Sequence, residues 1–127
     1  MRLVPFDRVD GTPFSARPAD IIAAWGQPTR RSRNGVQLNE WDYGHIVFRF
    51  QDGGRLEEIT QQAQVVHLGG IAVPFASLAD FVRNQDPAAF ERADFIVSPA
   101  YGIAFVPACP FWVTALARHC IDSWRAI

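Results

Sequence analysis

The 127-residue chain contains no lysine: all twelve of its basic residues are arginines, set against thirteen acids for a formal net charge of −1. A chain so nearly neutral has no bulk field to draw it to a phosphate backbone or an anionic membrane. Cysteine is scarce as well. Two residues, Cys109 and Cys120, are too few for a disulfide framework, and two reduced thiols are expected. No apolar run approaches the roughly 20 residues a spanning helix requires. The opening stretch MRLVPFDRVDGTPF holds no apolar core of signal-peptide length, so a soluble, cytoplasmic chain is expected.

Motifs of catalysis and cofactor binding are missing too. His45, His67, His119, Cys109 and Cys120 show no CxxC, HxxxH or HExxH spacing. His119 and Cys120, as neighbours on one helix, would point about 100° apart, and no metal site is expected. His119, Asp122 and Ser123 would share that helix, and a serine and histidine side by side there face no oxyanion donors. Cys109 stands before a helix start without an identifiable histidine partner. Gly53-Gly54 and Gly69-Gly70 lack the flanking pattern of a phosphate-binding loop. Arg30, Arg31 and Arg33 read as a charged strand edge, which discourages edge-to-edge pairing, and the other basic residues are scattered. No catalytic residue, no cofactor and no direct nucleic-acid contact is therefore expected.

What the chain does have is apolar and aromatic substance: 49% hydrophobic residues, with ten Phe, four Trp and two Tyr. That is enough to fill the core of one domain. SARPADIIAAWGQP reads as a short helix. Ser15 is placed to cap it, Pro18 suits its first turn, Ile21, Ile22 and Trp25 form its apolar edge, and Gly26 and Pro28 end it. The period then changes to two. TRRSR and VQLNEWDY flank an Asn34-Gly35 hairpin signal, with a bulge or strand end between Leu38 and Trp41, whose parities differ.

HIVFRF puts Ile46, Phe48 and Phe50 on one face and His45, Val47 and Arg49 on the other. Asp52-Gly53-Gly54 turns into RLEEITQQAQVVHL, a further strand in which Leu56 and Ile59 are out of phase. Further on, GGIAVPF reads as a strand, SLADFVRNQ as a helix capped by Ser77, and DPAAFERA as another helical turn. Two strands surround Ser98–Gly102. CPFWVTALARHCIDSWRAI reads as a four-turn helix with an apolar stripe from Val113 to Ile127. The expected fold is α+β, one domain over residues 1–127: a twisted antiparallel sheet packed against a few helices, including a C-terminal helix.

A neutral, aromatic-rich domain with one wet sheet face suits docking to another protein. The candidate contacts cluster around the two hairpins: the acids Glu40, Asp42, Asp52, Glu57 and Glu58, able to complement a basic partner, and, if their sheet face is exposed, the aromatics Trp41 and Tyr43.

The run ADIIAAWGQPTRR…WDYGHIVFRFQDGGRLEEI, from Ala19 to Ile59, resembles bacterial immunity proteins of polymorphic and type VI secretion toxin systems. The likeness lies in a short helix, a GxP stop, WxYG before an aromatic-rich strand, and DGGRLxxI. GIAVPFASLADFV and SPAYGIAFVP are similar to the second half of such domains. Related helix-then-meander halves occur in the β-lactamase-inhibitor-protein type of fold and in small outer-membrane assembly lipoproteins, but this chain lacks a lipobox cysteine. The resemblance implies a cytoplasmic inhibitor that binds a cognate toxin 1:1 and blocks or distorts its active site, with no enzymatic activity, nucleic-acid contact or membrane contact of its own. It transfers no site residues. Two rival functions stand beside it: a small-molecule-binding or enzymatic domain with its pocket in the sheet concavity, and an adaptor or chaperone for a secreted effector.

Overall fold

The computed structural model describes residues 1–127. Three short strands, β1 (Arg2–Val4), β2 (Arg8–Val9) and β3 (Thr12–Pro13), lead into helix α1 (Pro18–Trp25). A meander follows: β4 (Arg30–Arg33), β5 (Asn39–Asp42), β6 (Ile46–Phe50) and β7 (Leu56–Gln62). Then come β8 (Val65–Leu68) and β9 (Ile71–Pro74), running directly into α2 (Phe75–Gln85). The last third holds β10 (Phe90–Arg92), β11 (Phe95–Ser98), β12 (Ile103–Phe105), β13 (Trp112–Leu116) and α3 (Cys120–Arg125).

The strands form two sheets, so the α+β class and the C-terminal helix hold, while the one expected sheet is two. The larger sheet has the order β10-β11-β12-β13-β7-β6-β5-β4, antiparallel throughout; the smaller has the order β3-β2-β1-β8-β9, with a parallel β1–β8 pair. The chain changes sheets at Ala63, which is buried and donates its N–H to the Phe111 carbonyl at 2.7 Å. Hence RLEEITQQAQVVHL is two strands and not one.

The core lies between the sheets. Ile46, Phe48 and Phe50 face it from β6 as the alternation predicts, and meet Leu3, Val66 and Val73 of the smaller sheet, Ile21 of α1, and Phe75, Leu78 and Val82 of α2. Burying each such side chain contributes ~1.5–3 kcal/mol. In α1, Pro18 is the first helical residue and Gly26 the C-cap, with φ of 75° and its N–H on the Ile22 carbonyl. The N-terminal cap differs from expectation: Arg17, not Ser15, precedes the helix, and its N–H donates to the Asp20 carboxylate at 2.8 Å. Helix α2 likewise starts at Phe75, directly after Pro74, without a Ser77 cap.

Three expectations about local structure are corrected by tertiary pairing. DPAAFERA contains strand β10, paired with β11, and not a helix. Val36, Gln37 and Leu38 belong to the β4–β5 turn, where the Asn34 side-chain oxygen accepts the N–H groups of Val36 and Leu38. The four-turn C-terminal helix is replaced by β13 and the six-residue α3. Strand β13 lies between β12 and β7 and is covered on both faces, so Val113, Thr114, Ala115 and Leu116 are all buried. A strand buried on both sides loses its alternation, and a short apolar run then matches a helical stripe equally well.

Candidate functional site

A bulge in β7 shapes the site. Arg49 is paired with Glu58 and Phe50 with Leu56, leaving Glu57 as the extra residue. Such a bulge re-aims one side chain. It returns Leu56 to the core face beside Ile59, which accounts for their broken phase, and places Glu57 against the start of α3.

The outer face of the larger sheet is built as rows of cross-strand neighbours. One row runs Phe90, Val97, Ala104, Thr114, Thr60, Val47, Asp42, Arg30 across all eight strands. Its apolar end is covered by α3, where Val97, Ala104 and Leu116 pack with Cys120 and Ile121. Its polar end is open. The neighbouring row places Leu116, Glu58, Arg49, Glu40 and Ser32 side by side.

Arg49 is the hub of that polar half. It donates to Glu40 at 2.6 Å, to the Thr60 hydroxyl at 2.5 Å and to Glu58 at 3.4 Å. Thr60 and Thr114 share a hydrogen bond of 2.7 Å, and the Trp124 indole donates to Glu58 at 3.2 Å. Burial pushes the Glu58 carboxyl above its ordinary range, opposed by Arg49 and the indole and reinforced by Glu57 and Glu40.

Beside this array opens a cleft of about 660 Å³ between the β4–β5 turn and α3. Its apolar walls are Val36, Leu38, Phe95, Trp124 and Ile127, and its floor carries Arg49, Arg55, Glu57, Glu58 and His119. Val36 and Ile127 are each 66% exposed.

Glu57 is a buried carboxylate. Its side chain is 3% exposed. Arg55 donates to one carboxylate oxygen at 2.8 Å; the other is hydrogen-bonded to His119 Nε2 and to the Cys120 thiol, at 3.1 Å for the latter. Burial alone would raise the Glu57 carboxyl, but the hydrogen bonds from Arg55, His119 and Cys120 together outweigh it and hold it below its usual range. Burial, with Glu57 adding to it, pushes the Cys120 thiol far above its ordinary range, so the resting sulfur carries its proton. Every buried side-chain polar atom in the protein has a hydrogen-bond partner.

The candidate contacts read from the sequence separate into distinct places. Glu40, Asp42 and Glu58 share the outer face. Trp41 and Tyr43 point the opposite way: Trp41 packs on Phe50 at 5.0 Å between ring centres with the Arg31 guanidinium over its ring at 4.4 Å, and the Tyr43 hydroxyl donates to the Gly26 carbonyl at 2.8 Å. Burial raises the Tyr43 phenol, against Arg31. Asp52 lies at the β6–β7 turn, gripped by Arg33 and Asn39, whose hydrogen bonds lower its carboxyl.

Glu57 requires a correction, since it is a buried carboxylate and not part of a solvated hairpin face. Nor do the acids form a free negative patch. Asp42 faces Arg30, Asp52 faces Arg33, Glu57 faces Arg55, and Glu40 and Glu58 share Arg49.

Sequence reasoning missed the convergence of Glu57, His119 and Cys120. His119 precedes α3 as its N-cap with helical φ and ψ of −68° and −15°, so it and Cys120 do diverge along the backbone; they converge because both side chains reach the same oxygen of the buried Glu57 carboxylate. The Leu56/Ile59 phase break was the available signal, because it marks the bulge. Asp122, by contrast, is 94% exposed and belongs to no cluster with His119.

Fold and site together define an α+β domain with a half-covered antiparallel sheet and a charged, apolar-walled cleft on its outer face. No known family pattern matches the chain, and no curated protein or solved structure is significantly similar to it. No helix is long and apolar enough to cross a membrane.

Proposed function

We propose that the protein is an immunity protein, which neutralises a toxin delivered by a neighbouring cell through type VI secretion or a related route. It would bind the toxin 1:1 in the cytoplasm and block its active site, turning over no substrate itself. The resemblance between Ala19 and Ile59 supplies the class, and the cleft is the observation that supports it.

At the cleft, two exposed aliphatic side chains, Val36 and Ile127, stand with Trp124 around a floor of paired charges. Apolar and aromatic anchors of this kind carry much of the binding energy in protein interfaces. Charges already fixed by internal hydrogen bonds lose little further freedom on association. A partner footprint of ~800 Å² would extend from the cleft over Glu40 and Asp42. Because the acids are internally paired, shape and apolar contact, and not attraction of a basic surface, would dominate affinity.

Co-expression with the product of the immediately upstream gene tests this. Growth should be restored, and the two chains should co-elute at equal stoichiometry. If toxicity persists and no complex forms, the reading is lost. A complex in which the toxin stays active would indicate an effector adaptor instead.

One observation favours a second reading, a small-molecule-binding or enzymatic domain: His119, hydrogen-bonded to Glu57, borders the same cleft. A carboxylate-oriented imidazole is what general base catalysis requires. A rise of several degrees in melting temperature with a metabolite would support it, since a ligand of the native state stabilises that state.

A further inference from the structure

Glu57, His119 and Cys120 bring a carboxylate oxygen, an imidazole nitrogen and a sulfur within 4.8 Å of one another. We propose that these three side chains form a binding site for a thiophilic divalent cation of the zinc type, with a further coordination position open to the cleft. The proposal is independent of the docking function.

The donor set argues for the class of ion. Calcium and magnesium take oxygen ligands, whereas thiolate with imidazole and carboxylate suits zinc and its close substitutes. Three protein ligands with one position left open is the arrangement of reactive zinc centres, while structural sites are closed by four. His119 is 39% exposed and lies on the cleft side, so the open position has access to solvent.

Charge balance argues for stability of the bound state. A glutamate, a thiolate and a neutral imidazole together offset the two positive charges of the ion. Binding breaks the Cys120 S–H bond and forms a sulfur–metal bond, the proton passing to the buffer; no oxidant or reductant is involved. The metal-free protein keeps that proton in the hydrogen bond from Cys120 to Glu57.

The frame is already rigid. Ala117 N–H donates to the Glu57 carbonyl at 2.9 Å, and Cys120 N–H donates to the Ala117 carbonyl at 3.0 Å, so the bulge and the start of α3 are tied together. Arg55 holds the carboxylate oxygen that faces away from Cys120 and fixes its orientation, as outer-sphere partners of metal ligands do.

The test uses the untagged full chain, stripped with chelator and titrated with Co²⁺. One equivalent should bind, producing a near-ultraviolet thiolate-to-cobalt band and visible bands of low coordination number, and one equivalent of Zn²⁺ should bleach them. C120S should abolish the thiolate band, and H119A, at a half-exposed position, should weaken binding at least about tenfold. C109S should leave both unchanged. Circular dichroism establishes that each variant is folded. Absence of a stoichiometric cobalt complex in the wild-type chain overturns the proposal, as does a thiolate band that survives C120S or vanishes in C109S.

Discussion

Replacing Glu57 with glutamine tests whether the buried carboxylate organises the outer face. The substitution keeps the shape and removes the charge. In the native protein one carboxylate oxygen accepts from Arg55 and the other from His119 and Cys120. A glutamine has one accepting oxygen, so its NH₂ must face donors on one side or the other. A hydrogen bond to a charged group contributes ~1.5–3 kcal/mol, and a buried donor left unmatched costs a comparable amount. Arg55 is 54% exposed and recovers water on losing its partner, which removes most of its share. What remains on the Cys120 and His119 side is about 2 kcal/mol of destabilisation.

For a domain of this size that lowers the melting temperature by roughly 6–10 °C. Urea unfolding followed by circular dichroism should therefore show a lower midpoint with an unchanged slope. The pH dependence sharpens the test. Because the folded protein holds the Glu57 carboxyl below its unfolded value of about 4.3, its contribution is present above that value. It is lost as the pH falls through the folded value. The gap between wild type and E57Q should thus be full at neutral pH and close in acid. A variant as stable as wild type at pH 7, or a gap that widens on acidification, refutes the reasoning.

Other substitutions probe other links. Phe48 is fully buried, with Trp25 and Tyr43 each at 5.8 Å between ring centres, and F48A should cost about 3–5 kcal/mol in denaturant unfolding. Gly102 has φ of 63°, and a Cβ there would meet the Phe6 ring at 2.9 Å, so G102A should lower stability by about 1–3 kcal/mol in the same assay. The Val36 side chain is 66% exposed, and its turn hydrogen bond comes from the backbone; V36D should therefore leave the melting temperature unchanged and weaken binding of the proposed toxin partner at least about tenfold by calorimetry, as loss of an interface anchor does.

The first half of the chain was legible because its signals are local. Pro18 and Gly26 bound α1, Asp52-Gly53-Gly54 turns the second hairpin, and the alternation through Ile46, Phe48 and Phe50 names the core face. The second half depends on partners distant in sequence. WVTAL becomes a strand because β7 and β12 each present it an edge, and its two-sided burial erases the period that would identify it. The candidate site was half legible: Glu40, Asp42 and Glu58 do share a face, but their arginine partners lie on other strands or are shared between them. Trp41 and Tyr43 could serve as contacts only on an exposed sheet face, and strand parity already sets Trp41 opposite Glu40 and Asp42, on the side that packs against Phe50. The Glu57 cluster left only the Leu56/Ile59 phase break as a trace in the sequence, because it joins residues 62 apart through a bulge and a helix start.

The most direct test of docking through the outer-face cleft is hydrogen exchange on the complex with the cognate toxin. Protection gained on binding should be confined to the β4–β5 turn, to β5 through β7, and to α3. Protection concentrated on β1–β3, β8 and β9, with the cleft unchanged, would contradict the account.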